Sequence, residues 1–178
     1  MKWPCLLAFG AALVSAAVPA ETRLIGGDMH FHGTVVALTC SLPPGGDRIV
    51  VDFGQIATKD LYLSGRSSAK KFKIQLADCN PDVFRSVAVT FSGTEDTALP
   101  DHLAIGSGSG ASGIAIGISE DDGTPVHLNQ STTAQQVQKG DMALEFQAWV
   151  EAEPDAVANK SLKYGEFSAS GTWTLSYQ

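Results

Sequence analysis

Four histidines, with serines and aspartates, supply the side-chain types of a nucleophilic triad. Their settings do not build one. An activated serine in a Gly-x-Ser-x-Gly elbow sits between a strand and a helix. Gly106-Ser107-Gly108-Ser109-Gly110 matches the letters only, because no helical pattern follows it. Gly108-Ser109-Gly110-Ala111-Ser112-Gly113 matches Gly-x-Gly-x-x-Gly, but it leads into Ile114-Ala115-Ile116-Gly117-Ile118, which has the pattern of a strand. A dinucleotide site needs a helix N-terminus there to face the pyrophosphate. The expectation is therefore a protein that is not an enzyme and has no cofactor, with a free-standing secreted sandwich enzyme as a distant alternative.

Metal chemistry is equally thin. His30 and His32 share one face of an N-terminal segment and could chelate a metal, but two imidazoles without a third ligand make a weak site. A solvent-facing pair is the favoured reading. Glu120-Asp121-Asp122 and Glu151-Ala152-Glu153 lack the regular ligand spacing of a calcium loop and read as solvated turns. No metal is expected.

The first twenty residues read as an export signal. Lys2 supplies the positive start, residues 5–17 are an almost unbroken apolar or small stretch, and Val18-Pro19-Ala20 offers a cleavage site, with Val14-Ser15-Ala16 as a second. Cys5 leaves with the signal, so the mature chain keeps Cys40 and Cys79. Two cysteines in an exported chain point to a disulfide, two buried free thiols being the alternative. The 178 residues carry 44% apolar and 17% charged side chains, which suits one compact domain and excludes a disordered or collagen-like chain. A net charge of −7 opposes any phosphate-tracking groove, so nucleic acid is an unexpected partner.

The rest of the chain reads as β-structure. Short runs rich in β-branched and aromatic residues fall at 33–42, 49–56, 71–76, 86–92, 113–118, 143–151 and 167–177, separated by turn clusters. Those clusters are Pro43-Pro44-Gly45-Gly46-Asp47, Asn80-Pro81-Asp82 and Asp121-Asp122-Gly123-Thr124-Pro125. Phe72, Ile74 and Leu76 alternate with Lys71, Lys73 and Gln75, the period of a half-buried strand. An antiparallel β-sandwich is the expected architecture, with residues 106–113 as a long surface loop.

Both ends are unusual. Phe167, Ala169, Gly171, Trp173, Leu175 and Tyr177 share one face, and no further strand follows to cover them. Near the other end Ile25, Gly27, Met29 and Phe31 alternate with Leu24, Gly26, Asp28 and His30. Between Phe31 and the next strand only Gly33 intervenes, which is too short for a hairpin reversal. This segment is expected to project.

The residues that carry a resemblance are distributed over nearly the whole mature chain. They are His30-Phe31-His32-Gly33-Thr34-Val35 leading to Cys40, Val51-Asp52-Phe53-Gly54-Gln55-Ile56, and Phe72-Lys73-Ile74-Gln75-Leu76-Ala77-Asp78-Cys79. Leu144-Glu145-Phe146-Gln147-Ala148, Gly165 fourteenth from the end and penultimate Tyr177 complete them. In this order they resemble the fimbrial (pilin) subunits of the bacterial chaperone–usher pathway, of the type 1 kind.

The resemblance implies an immunoglobulin-like β-sandwich lacking its last (G) strand, completed by donor-strand complementation. It implies a signal peptide at 1–20, a donor-strand extension at 21–32 and a pilin domain at 33–178. The donor strand would be residues 23–31, with Ile25, Gly27, Met29 and Phe31 filling pockets; the opposite phase would bury Asp28. Gly165, Trp173, Leu175, Tyr177 and Gln178 would form the groove and the chaperone-binding strand. The implied partners are a periplasmic pilus chaperone, an outer-membrane usher and neighbouring pilus subunits. The implied location is the cell-surface fimbrium, reached through the periplasm, with a contribution to cell adhesion. A carbohydrate-binding adhesin of the same family is the alternative, disfavoured because tip adhesins carry an extra N-terminal lectin domain for which this chain leaves no room.

Overall fold

The computed structural model describes residues 27–35 and 39–178. Two compact units divide the chain, Met1–Val35 and Val36–Gln178. The export signal, Ile25 and the first residues of the extension lie outside the described residues. In the first unit residues 27–35 form no regular element; Met29 and Phe31 are 76% and 86% exposed, and a Cβ on Gly27 would meet nothing.

The second unit contains the strands β1 (Lys70–Cys79), β2 (Ser86–Gly93), β3 (Leu103–Ala104), β4 (Ile114–Glu120), β5 (Gln135–Gln136), β6 (Gly140–Ala152) and β7 (Gly171–Tyr177). A four-stranded sheet runs β1-β6-β4-β3 and a three-stranded sheet runs β5-β2-β7, with every pairing antiparallel. The sheets meet through aromatic rings. Phe91 of β2 stands edge-on to Phe146 of β6, centroids 5.0 Å apart, and edge-on to Phe72 of β1 at 6.2 Å. Such pairs contribute about 0.5–1.5 kcal/mol beyond the area they bury.

Alternation drives each strand's orientation. On β1, Ile74 and Leu76 are buried and Phe72 half-buried, while Lys71, Lys73 and Gln75 stay exposed. β4 departs from this rule, being buried along its whole length on both faces. At Gly117 a side chain is excluded because Trp149, paired opposite it, lies where a Cβ would stand. The Trp149 Nε1–H donates to Glu151 Oε2 at 2.6 Å, and Arg66 covers the ring at 5.4 Å.

All three expected turns form. The Gly46 N–H donates to Pro43 O, the Asp82 N–H to Asn80 Oδ1 and the Thr124 N–H to Asp122 Oδ1. Cys40 and Cys79 are joined in a disulfide. Of the run expected at 33–42, residues 36–38 lie outside the described residues and the described part contributes one bridge, Ser41 to Ala77; the run expected at 49–56 is not a strand and pairs with no other described strand. The run expected at 167–177 pairs only from Gly171 onward. Among the described residues there are two short helices, α1 (Thr58–Ser64) ahead of β1 and α2 (Pro154–Ala158) between β6 and β7. α1 is pinned by buried Leu61 and stopped by Gly65 at φ 75°.

The disulfide spans a sequence separation of 39, for which lost loop entropy in the unfolded chain corresponds to about 4 kcal/mol. The expected outcome of Cys40→Ala with Cys79→Ala is a drop of that size in urea unfolding. A drop below about 1 kcal/mol contradicts it.

Candidate functional site: an open groove between two strand edges

β7 pairs with β2 along one edge, Val87 to Tyr177 through Gly93 to Gly171. Among the described residues its other edge has no strand partner. Across from it run residues 49–56, none of which makes a main-chain-to-main-chain hydrogen bond to another described residue. Between the two lies a cavity of about 1150 Å³. Its floor is the sandwich core itself, including Phe72, Phe91, Ile116 and Ile118.

Both walls alternate as strands do. Ile49, Val51 and Phe53 are half-buried against the core, while Val50, Asp52 and Gly54 are exposed. On the opposite wall Phe167, Ala169, Trp173, Leu175 and Tyr177 are half-buried and the intervening residues exposed. Phe53 and Phe167 approach across one end, centroids 6.2 Å apart. Each wall therefore presents an apolar row and a line of N–H and C=O groups without a partner strand. Such groups cost free energy if covered by anything that cannot bond to them. A strand inserted between the walls satisfies both lines and covers the apolar rows in one step.

The wall at residues 163–168 is held by the glycine- and serine-rich stretch at 106–112. The Gly106 N–H donates to Ser168 O, the Gly110 N–H to Glu166 O, and Ser112 and Lys163 exchange both main-chain bonds. What the sequence presented as a plain surface loop is laced to the groove. Gly165 is the reason the two can touch: a Cβ there would stand 2.6 Å from the Gly110 carbonyl carbon.

Of the residues expected at the groove, Gly165 and Trp173 line the cavity. Leu175 and Tyr177 continue the same row along β7, and Tyr177 stacks on Phe84 at 6.3 Å. Burial raises the Tyr177 phenol above its ordinary value. Gln178 is tied toward β2: its carbonyl oxygen accepts from the Arg85 and Ser86 N–H groups, and its own N–H donates to Ser86 O. Sequence reasoning missed the facing wall. Ile49, Val51 and Phe53 were legible as an alternating run, but nothing in them marks a strand that lacks a neighbour. Among the described residues no group of three or more His, Cys, Asp or Glu is placed to hold a metal, and no helix is long and apolar enough to cross a membrane.

Two antiparallel sheets facing over one core, with an open slot between two edges, define an open immunoglobulin-like β-sandwich. Residues 29–178 match the family described as fimbrial protein. The chain is 36% identical over 176 residues to PmfF of Proteus mirabilis strain HI4320, described as a minor fimbrial subunit, covering 98% of this chain and 94% of that one. It is 32% identical over 175 residues to the fimbrial adapter PapK of Escherichia coli, covering 95% and 97%. The crystal structure of the P pilus rod subunit PapA shares the fold with a TM-score of 0.68 at 23% identity, covering 79% of this chain and all of that one. The chain belongs to the fimbrial protein family and is a structural subunit of a pilus, and that family is one of structural subunits.

Two outcomes test the groove's construction. Gly165→Ala forces its wall away from Gly110, and overpacking of this kind costs about 1–3 kcal/mol; the urea midpoint should fall, and an unchanged midpoint refutes the close contact. A tyrosine whose folded-state ionisation is raised gives stability that is present below its unfolded value and lost as pH rises past it. Unfolding free energy should therefore decline above pH 10.0 in the native chain and decline less in Tyr177→Phe.

Proposed function

We propose that this subunit polymerises by donor-strand exchange. Its groove accepts an extended segment from a neighbouring subunit, and its own residues 21–32 serve as the donor for the next. The observation that carries the reading is the pair of unpaired edges facing each other over an apolar floor. Exposed Met29 and Phe31 support the donor half. In this reading Ile25, Gly27, Met29 and Phe31 enter the groove, and Gly165, Trp173, Leu175, Tyr177 and Gln178 border it. Burying Ile25, Met29 and Phe31 at about 1.5–3 kcal/mol each contributes on the order of 5–9 kcal/mol, comparable with the whole stability of a domain.

An open groove of this kind exposes sheet edges, so the subunit needs cover before it polymerises. A periplasmic chaperone lends a strand in transit, and an outer-membrane usher receives the complex. Residues 1–20 direct export and are removed. The assembled fibre stands on the cell surface and contributes to adhesion together with its other subunits.

The test is periplasmic expression with and without the cognate chaperone. Aggregation or degradation alone, and a soluble one-to-one complex with the chaperone, is the expected result; a stable, monodisperse monomer on its own overturns the reading. Phe31→Asp should keep chaperone binding and lose incorporation as donor, because the first uses the groove and the second the extension. Equal loss of both contradicts the division of roles.

A further inference from the structure

The donor face of the extension leaves a second face unused. His30 and His32 are both exposed, and on an extended strand residues two apart point the same way, about 6.6–6.8 Å apart along the chain. Two imidazole nitrogens can converge from that spacing onto one metal ion, at about 2.0–2.1 Å each. The alternation that turns Met29 and Phe31 inward turns Asp28, His30 and His32 outward.

The groove's flanks supply what the pair lacks. Outward positions on one flank are Val50, Asp52 and Gly54, and on the other Thr172, Thr174 and Ser176, all exposed. Asp52 and Glu166 are the side-chain carboxylates that line the cavity, and Asp52 is the one on the 49–56 flank. Its Oδ1 accepts the Gly54 N–H at 2.8 Å, which orients the carboxylate and leaves Oδ2 for another partner. Adjacent strands lie about 4.7–4.9 Å apart, so an outward carboxylate on a flanking strand is within reach of an outward imidazole on the inserted one.

We propose that His30 and His32 are half of a transition-metal site, completed in the fibre by Asp52 of the neighbouring copy. The proposal rests on the donor-strand reading above. Two neutral imidazoles and one carboxylate, with a fourth position for water, are a donor set suited to Zn²⁺. The ligands come from two molecules, so the ion binds the joint and not the separated subunits. The chain's net charge of −7 favours a cation at the contact.

The test uses fibres sheared from cells that assemble them, stripped with EDTA and then supplied with ZnCl₂. A ligand bound only by the joined state, at about 100 times its dissociation constant, shifts the dissociation equilibrium about 100-fold. Native fibres should therefore resist dissociation by heat and detergent more strongly in zinc, and fibres of His30→Gln with His32→Gln should lose the difference between zinc and EDTA. Asp52→Asn should lose most of it. A zinc effect that is absent from native fibres, or survives in the double variant, overturns the site; one that survives Asp52→Asn overturns the shared ligand. Should the histidine variants fail to assemble, zinc content decides: native fibres should retain close to one EDTA-removable ion per subunit, and none refutes the site. Failure of the donor-strand reading shows separately, as Phe31→Asp chains that still act as donors.

Discussion

The rest of this structure depends on a shortage of main-chain partners. A β-edge is a row of N–H and C=O groups that must be bonded to something, and here two edges face each other with no strand between them among the described residues. Neither wall bonds to the other along its main chain, and the floor between them is the domain's own core. The groove is thus an unfinished part of the hydrophobic interior, in which Phe72, Phe91, Ile116 and Ile118 form the floor.

Such a slot persists only if the frame around it is firm. The four-stranded sheet is buried through its centre, with β4 covered on both faces and Trp149 locked over Gly117 by its bond to Glu151. The Cys40–Cys79 disulfide fastens the chain ahead of the first wall to the end of β1. The other wall is laced through residues 106–112, and Gly165 brings the two backbones within contact. Rigidity on three sides leaves one direction open.

Much of this was legible in the sequence, for definable reasons. The alternation in 71–76 and 167–177 foretold which side chains turn inward, since a period of two has only one half-buried solution. The three turn clusters formed as their Gly, Pro, Asn and Asp content required. Residues 49–56 misled because alternation reports a side chain's environment and not whether its backbone has a neighbour. Gly106 to Gly113 misled in the opposite sense: a composition that suits a flexible linker also suits close packing of two backbones, and only the contact with Gly165 distinguishes them. The helices α1 and α2 were too short to produce a periodic signal.

The order of pairing has a temporal consequence. β2 and β7 are partners, Val89 opposite Leu175, although β3 to β6 are synthesised between them. Loop closure over such a separation is slow compared with local turns. The three-stranded layer therefore cannot be completed until the ribosome has passed Tyr177. The four-stranded sheet, whose last strand ends at Ala152, can assemble first, so the two layers of the sandwich become available in sequence, with the edge that borders the groove made last.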